Sequence, residues 1–550
     1  MTKVLISLPY KHEIKIDYGT RIKDIFEEYM PETKAIAARV NNELVSLSYK
    51  VEFNSIIEPI SLEDKEGNII YKATLCFILA MATQEDRIIT ELVIGHSLGD
   101  GYYYTKRDFS DISEQKIKQL EKKMREIISG NLEIKRTVLS YQDAIELFKK
   151  RGQYQTEKLL KFKNQNKIPV YKCNNYYDIT TVALLPRTGY IQDFKLQKYN
   201  NGFILRFPQE PTKRIDSSLS PPEKLFEIYK QYKEWGKSIG VSSVGDLNTF
   251  VQERKEREFI QIAEYLQETK ISQIATKLAE DSNNVKIVLI AGPSSSGKTT
   301  FSKKLSMYLR VMGLKPLAIS LDDYFQPREK TPLDEDGNYD FESLYALDLE
   351  ALNIDLLALM EGKAIPRRVF DFKKGEPRYL DKKLQIPSDG IIVVEGIHAL
   401  NEELTAKIPH ENKKKIYISA LTQLNLDDHN RIPTTDNRLI RRMVRDSQFR
   451  AKTALDTLKM WPSVRRGEER NIFPFQEEAD FIFNSALDYE LSVLKVLAEP
   501  LLRSVKPYHR EYLEATRLLG FLDNFLPISP QYVPGRSILR EFIGDSEFHY

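Results

Sequence analysis

The second half of the chain alternates between strand-like and helix-like hydrophobic patterns. Short apolar runs rich in β-branched residues occur at 286–291 and 390–394, and another begins at 315. Helical spacing marks 300–309 and 343–360 between these runs. This alternation predicts an α/β domain with a parallel sheet, helices on both faces and ligands at the carboxyl ends of the strands.

The first 60 residues show the shorter pattern of a small α+β unit. Val4–Leu8 and Glu13–Ile16 alternate as a β-hairpin would, and Ile22–Glu28 has helical spacing. Ala35–Val40 and Glu43–Leu47 predict two further strands around an Asn-Asn turn. Together these elements predict a β-grasp fold.

A second α+β module and a connector separate this unit from the parallel sheet. Tyr71–Ala82 predicts a buried helix, Ile94–Tyr104 is rich in glycine and aromatic residues, and Ser113–Ser129 predicts a charged helix. Pro211–Lys224 has the Ser/Pro content of a linker, and Leu225–Glu280 is mostly helical. The predicted regions are a β-grasp domain at 1–62, an α+β domain at 63–212, a linker and helical connector at 213–284, a parallel-sheet domain at 285–505 and a C-terminal extension at 506–550.

Composition narrows the class of protein. The 550 residues are 41% apolar and 29% charged, which suits three or four globular domains of roughly 150 residues each. A formal net charge of +2 gives no overall basic field for nucleic acid. Two cysteines offer no disulfide framework, so we expect a cytoplasmic protein. The polar N-terminal segment predicts no signal peptide, and the apolar run 73–82 is too short to span a membrane.

The most specific chemical signal is Gly292-Pro-Ser-Ser-Ser-Gly-Lys-Thr299, which fits G-x-x-x-x-G-K-[ST] between a predicted strand and a predicted helix. Its glycines let backbone N–H groups converge on a polyphosphate at a helix N-terminus. Lys298 is expected to reach the β- and γ-phosphates and Thr299 to ligate Mg²⁺. ATP and Mg²⁺ are therefore the predicted cofactors. The predicted nucleotide contacts are Gly292, Pro293, Ser294, Ser295, Ser296, Gly297, Lys298, Thr299, Thr300, Arg441 and Arg450.

Charged residues of three kinds accompany this loop. Asp322 and Glu395 each end a predicted strand, where an acid can take a hydroxyl proton or help to hold Mg²⁺. Asp340 precedes a predicted helix, where it either caps the helix or binds sugar hydroxyls. One helix face carries cations at i, i+3, i+4 and i+7, typical of a solvated basic helix or of a lid over phosphates: Arg438, Arg441, Arg442 and Arg445.

In this order, the motifs resemble those of the uridine kinase/phosphoribulokinase family over about 285–500. The matching segments are Asp322-Asp-Tyr-Phe325, Tyr339-Asp-Phe-Glu342, Phe370-Asp-Phe372 with Arg378, Glu395-Gly-Ile397, and Arg441-Arg-Met-Val-Arg445-Asp446.

The resemblance implies a role for each matching position. Asp322 is implied as catalytic base, and Asp340 as the ribose-binding acid. The residues expected to take part in catalysis are Asp322, Lys298, Arg442 and Arg445. The expected substrate contacts are Asp340, Phe370, Phe372 and Arg378, and the expected Mg²⁺ ligands are Thr299, Asp322 and Glu395. Phe370 stands where the family has a tyrosine, and the histidine that the family has shortly afterwards is missing. Which nucleobase the substrate carries therefore stays open.

The N-terminal part resembles two modules of threonyl-tRNA synthetases. Residues 1–60 are similar to the TGS domain, and the following module is similar to the editing domain. The editing family's HxxxH pair falls on Ala73 and Phe77, and its CxxxH segment on Thr180–Leu184. The resemblance therefore implies a retained scaffold whose hydrolytic side chains are lost. His96 and Cys173 are expected to be ordinary packing or surface residues.

Three functions are compatible with these features. The first is an ATP- and Mg²⁺-dependent kinase acting on the 5′-hydroxyl of a nucleoside. The second is a kinase for another sugar or a sugar phosphate, recognised by Arg367, Arg368 and Lys373. The third is an RNA- or tRNA-binding regulator that uses ATP as a switch. We expect a small-molecule partner, tRNA contact through the N-terminal modules, no membrane, and a homo-oligomer.

Overall fold

The computed structural model describes residues 3–9, 11–86, 88–211, 213–215, 221–334, 337–387 and 389–549. Part of the predicted 211–224 linker lies outside these residues. In the described part of the chain, no helix is long and apolar enough to cross a membrane.

The N-terminal unit is the predicted β-grasp. The hairpin is confirmed, and its first strand runs parallel to the last strand of the unit. Ile22, Ile25 and Phe26 of the helix are buried because their i, i+3, i+4 spacing places them on one helix face. Its elements are β1 (Lys3–Leu8), β2 (Lys11–Asp17), β3 (Thr20–Arg21), α1 (Ile22–Tyr29), β4 (Ala37–Val40), β5 (Glu43–Ser46), β6 (Lys50–Val51) and β7 (Ser55–Ile60).

The second module packs two small sheets around one buried helix. The predicted 71–82 helix is part of a longer one, and its Thr74 hydroxyl accepts a 2.9 Å hydrogen bond from the Leu185 N–H across the core. Its elements are α2 (Lys65–Asp86), β8 (Leu92–Leu98), β9 (Gly101–Lys106), α3 (Glu114–Ser129), β10 (Lys135–Ser140), α4 (Tyr141–Lys150), α5 (Tyr154–Leu160), β11 (Lys167–Cys173), β12 (Tyr176–Asp178), β13 (Lys195–Tyr199) and β14 (Gly202–Arg206).

Three helices form the connector, and the alternating pattern beyond them gives the predicted α/β domain. The connector contains α6 (Glu223–Ser238), α7 (Val244–Gln252) and α8 (Glu256–Glu280). The domain contains β15 (Ile287–Ala291), α9 (Lys298–Val311), β16 (Lys315–Ser320), α10 (Leu349–Met360), β17 (Ile365–Asp371), β18 (Glu376–Leu384), β19 (Gly390–Glu395), β20 (Lys413–Ser419), α11 (Thr434–Phe449), α12 (Ala454–Asn471), β21 (Phe481–Asn484) and α13 (Glu490–Arg503). The C-terminal extension adds α14 (Tyr512–Leu522) and α15 (Arg540–Ile543).

The large sheet places the phosphate loop at its centre. Its five strands are all parallel, in the order β16-β19-β15-β20-β21, so β15 lies between β19 and β20. β15 is the first of these strands in sequence, and the loop at its carboxyl end lies where ligands bind in open α/β sheets.

Two features differ from the sequence-based expectations. The helix predicted over 343–360 begins only at Leu349, because Leu344–Ala346 form a 3₁₀ turn and Asp348 caps α10 through the Ala351 N–H at 3.0 Å. The core also continues past the predicted boundaries at 285 and 505. Phe259 of the connector and Phe542 of the extension belong to the same buried cluster as β15.

Candidate functional site

The segment 292–299 forms a tight loop between β15 and α9. Ser295 and Gly297 have φ angles of 59° and 84°, and glycine adopts such values without strain. A Cβ atom on Gly292 would collide with the carbonyl oxygen of Ile418 on β20. The loop backbone can therefore lie close to the sheet edge only with glycine at this position.

Lys298 is folded back onto its own loop. Its Nζ donates hydrogen bonds of 2.8 Å to the Gly292 carbonyl and 3.2 Å to the Pro293 carbonyl. Burial lowers the pKa of its ammonium group, while the nearby Glu395 carboxylate acts in the opposite direction. A phosphate bound in the loop would offer the ammonium a charged partner in place of these two carbonyls.

Thr299 and Glu395 meet at the carboxyl ends of neighbouring strands. The Thr299 hydroxyl donates to the Glu395 carboxylate, with distances of 3.1 and 3.2 Å to its two oxygens. Burial raises the pKa of Glu395 to about 7, although Lys298 opposes this shift. A cation next to this carboxylate would reverse the effect of burial and keep it ionised.

The predicted metal ligands fit Mg²⁺ better than a metal bound by protein side chains alone. Among the described residues, no group of three or more His, Cys, Asp or Glu side chains could hold a metal. Thr299, Asp322 and Glu395 offer one hydroxyl and two carboxylates, and Mg²⁺ usually takes one or two carboxylates together with water and substrate phosphates.

Asp322 lies in a short 3₁₀ turn that follows β16. Its side chain is exposed towards the cleft, and its N–H donates to the Ser320 hydroxyl at 3.3 Å. The surrounding walls still desolvate the carboxylate and raise its pKa, while Lys298 and Arg450 act to lower it. Asp322 is thus a reachable carboxylate close to the phosphate loop, as a proton acceptor must be.

The helix α11, which carries the four arginines and is called the arginine helix below, is packed against the domain and is not a free cationic lid. Arg438 forms a buried ion pair with Glu468, and Arg441 forms one with Glu490. Arg441 also donates to the Ser295 carbonyl at 3.3 Å. The i, i+3 spacing of these two arginines therefore marks a buried face with acidic partners, and both support the loop from behind.

Arg442 and Arg445 lie nearer to the open side of the loop. Arg442 donates to the Ser294 hydroxyl at 2.7 Å and to Asp446 at 3.2 Å. Burial lowers the pKa of Arg445 to about 10, and its guanidinium lies 3.9 Å from Glu541. These two arginines are better placed than Arg438 to face a bound phosphate.

Glu541, in the C-terminal extension, is a site residue that the sequence did not reveal. Its carboxylate accepts hydrogen bonds from both the N–H and the hydroxyl of Thr300, at 3.2 and 2.7 Å. Ile538 lies next to Gly297 of the loop. The extension matches no motif and is remote in sequence, so no local pattern could have indicated this contact.

The predicted substrate residues are only partly brought together. Phe370 and Phe372 stack edge-to-face with ring centroids 5.1 Å apart, and Phe325 lies 5.6 Å from Phe370. Arg378 pairs with Val369 across the β17–β18 hairpin, so it projects from the opposite face to Phe370. Both residues are predicted substrate contacts, and the hairpin presents them on opposite faces.

Two carboxylates and one arginine complete the cleft. Asp340 accepts a 3.1 Å hydrogen bond from the Glu342 N–H within a local turn. Burial raises the pKa of Glu342, and Arg442 is the main opposing charge. Arg368 is buried and bonded to Asp348 at 2.9 Å and to the Phe325 carbonyl at 3.1 Å, so it holds the hairpin in place.

Comparisons with known proteins find similarity in two parts of the chain. Residues 287–492 match the model of the Phosphoribulokinase / Uridine kinase family. This segment, with its phosphate loop and parallel sheet, is a P-loop kinase-family domain.

The N-terminal region is similar to threonine–tRNA ligases. Threonine–tRNA ligase 2 of Bacillus subtilis (strain 168) is 32% identical over 171 residues, which are 31% of this chain and 27% of the ligase. The ligase of Ehrlichia canis (strain Jake) is 32% identical over 188 residues, covering 34% of this chain and 30% of the ligase. The chain therefore spans less than a third of either ligase.

One solved structure similar to the chain is described as a possible uridine kinase from Bacillus stearothermophilus. It shares 18% identity and covers 36% of this chain and 89% of its own, with a TM-score of 0.25.

Proposed function

We propose that the protein transfers the γ-phosphate of ATP to the 5′-hydroxyl of a nucleoside. The observation that carries this proposal is the convergence of Lys298, the Thr299–Glu395 pair and Asp322 at one edge of the parallel sheet. Phosphoryl transfer depends mainly on positioning and on stabilising charge, and these groups supply both.

Each side chain has one task in this proposal. Asp322, whose pKa is raised by desolvation, accepts the proton of the attacking hydroxyl. Lys298 and Arg442 stabilise negative charge on the transferred group. Mg²⁺ would be held by the Thr299 hydroxyl with Glu395 and Asp322, and would neutralise charge on the phosphates.

The aromatic cluster favours a nucleoside over a sugar phosphate as acceptor. Phe325, Phe370 and Phe372 offer ring faces and edges on which a base can stack. Arg368, one of the cations that would recognise a sugar phosphate, is already bonded to Asp348. Arg367 and Lys373 remain the basis of that alternative.

An acceptor screen with the full chain tests this proposal. ATP consumption would be measured with Mg²⁺ and a panel of ribonucleosides, free pentoses and pentose phosphates. We expect turnover with at least one nucleoside, and a higher KM for it in Asp340→Asn, since Asp340 is proposed to hold the ribose. Turnover confined to pentose phosphates would contradict a nucleoside acceptor and support the alternative.

The similarity of the N-terminal region to threonine–tRNA ligases favours a second candidate function, which is contact with tRNA. Filter binding of tRNA at several salt concentrations tests it, because phosphate contacts predict a steep loss of affinity as salt rises. We also propose a cytoplasmic location, which fits Cys76 and Cys173, two cysteines that form no disulfide.

A further inference from the structure

A cavity of about 620 Å³ lies between the second module and the kinase-family domain. Ala73 and Phe77 of α2 and Thr180 line one side of it. These are positions that the editing-domain resemblance aligns with the missing histidines and cysteine. The opposite wall comes from the 429–436 segment and from α12 and α14. The volume is in the range of pockets that hold small organic ligands.

The lining of this cavity is rich in cations, and only some of them are neutralised. Arg517 is held by Asp436 at 2.7 and 2.9 Å and by Glu514, and Arg465 is held by Glu468 and Glu469. The complete set of lining cations is Lys65, Lys72, His429, Arg431, Arg465, Arg466 and Arg517.

Lys72 and Arg431 are the two cations that matter most. Among the described residues, neither has a carboxylate within ion-pair distance, and the buried Nε of Arg431 has no hydrogen-bond partner. The Arg431 guanidinium lies over the Tyr102 ring, 4.9 Å from its centroid. Burial lowers the pKa of Lys72 and the positive charge of Arg431 lowers it further, while Glu469 acts in the opposite direction. Two like charges that line the same partly buried cavity are stabilised by an anion bound near both.

His429 lies in the same space, where the Asp178 carboxylate balances its charge. Its Nδ1 lies 2.7 Å from the Asp178 carboxylate, which favours the protonated ring. Phe77, Trp461 and Ile94 supply apolar surface beside these charges. The cavity therefore combines two cations, Lys72 and Arg431, that lack a carboxylate partner within the described residues, with an apolar wall.

We propose that this cavity binds a small organic phosphate, with the phosphate between Lys72 and Arg431 and the rest of the ligand against Phe77 and Trp461. The second module and the kinase-family domain each supply one wall, so the ligand would contact both. The state of the kinase-family domain would then depend on the concentration of this ligand. The proposal goes beyond the proposed function and does not depend on it, because none of the lining residues belongs to the phosphate loop.

Calorimetric titration of the full chain with adenosine 5′-monophosphate and with inorganic phosphate tests the proposal. We expect saturable binding of the nucleotide, weakened at least tenfold in Arg431→Gln and in Lys72→Gln. Lys298→Ala, which alters the phosphate loop, should retain this binding, and so should Lys118→Gln, which removes an exposed cation outside the cavity.

Three outcomes would overturn it: wild-type affinity in both cavity variants, loss of binding in Lys298→Ala but not in the cavity variants, or no binding of either probe at millimolar concentration. Thermal unfolding of each variant checks that it is folded. If Arg431→Gln does not fold, the nucleotide affinity of Lys72→Gln tests the proposal.

Discussion

The Glu541 carboxylate accepts a 2.7 Å hydrogen bond from the hydroxyl of Thr300, at the first turn of the helix that follows the phosphate loop. It also accepts from the Thr300 N–H at 3.2 Å. Backbone N–H groups at this kind of helix N-terminus are the donors that bind anions. A protein carboxylate thus occupies part of the position where a nucleotide phosphate is expected.

Replacing Glu541 by glutamine should tighten nucleotide binding. The amide keeps the size of the side chain and can still accept from Thr300, but it carries no charge to repel a phosphate. We expect the Kd for a non-hydrolysable ATP analogue, measured by calorimetry, to fall several-fold; a tenfold change is about 1.4 kcal/mol. Glu547→Gln is the matched control, because Glu547 lies in the same extension but pairs with the exposed Arg536. Weaker binding in Glu541→Gln would show that the carboxylate orders the loop.

Asp322→Asn should lower kcat far more than it raises KM. The amide cannot accept the hydroxyl proton, although it leaves the shape of the cleft unchanged, and loss of general-base catalysis costs about 10²–10⁴-fold in rate. Asp323→Asn is the neighbouring control, whose carboxylate lies beside Phe370 and Arg367. Steady-state kinetics with the acceptor found in the screen measure both. Unchanged kcat in Asp322→Asn would rule out the assigned base.

Glu490→Gln should destabilise the fold. Glu490 is buried with Arg441, and removing its charge leaves the guanidinium without a counter-charge, which costs on the order of 3–5 kcal/mol in buried pairs. Glu210→Gln is the control, since the Glu210–Lys213 pair is exposed on both sides and should contribute little. Urea unfolding at neutral pH compares the two variants. Equal stability of Glu490→Gln and Glu210→Gln would mean that water or another carboxylate balances the charge of Arg441.

His429 should make stability fall as pH rises above neutral. Burial alone would lower its pKa, but Asp178, with Asp427 and Asp428, raises it to about 9 from 6.5. A group whose pKa is raised by folding stabilises the protein fully below about pH 6.5, and this contribution is lost as pH approaches 9.

The comparison with His429→Gln isolates this effect. Between pH 6.5 and 9 the wild type should lose up to about 1.4 kcal/mol of unfolding free energy per pH unit relative to the variant, since one proton is involved. Denaturant titrations at four pH values measure the difference. Parallel pH profiles for the two proteins would contradict a charged His429.

Local patterns were enough to predict which residues lie at the carboxyl edge of the sheet. The apolar runs that end at Ala291 and Glu395 are strands as expected, and Asp322 follows the predicted strand that begins at Lys315. Because parallel strands end at one edge, sequence order alone brings these residues together. The pairing of Thr299 with Glu395 follows from the same geometry.

The partners of the arginine helix could not be predicted in this way. Helical spacing shows that Arg438 and Arg441 share a face, but a face turned to solvent and a face paired with buried acids have the same spacing. The deciding carboxylates, Glu468 and Glu490, lie 30 and 49 residues further along the chain. Glu541 is 241 residues from Thr300. Such contacts depend on tertiary packing, which periodicity does not report.

The shared core has a consequence for synthesis on the ribosome. Phe259, on the connector, and Phe542, on the extension, pack into the same cluster as the strand that precedes the phosphate loop. A nascent chain that has only reached the end of the sheet therefore still exposes the apolar surface that Phe542 will cover. We expect this intermediate to be the species that holdase chaperones bind, and released chains truncated before and after 538–543 to differ in protease resistance.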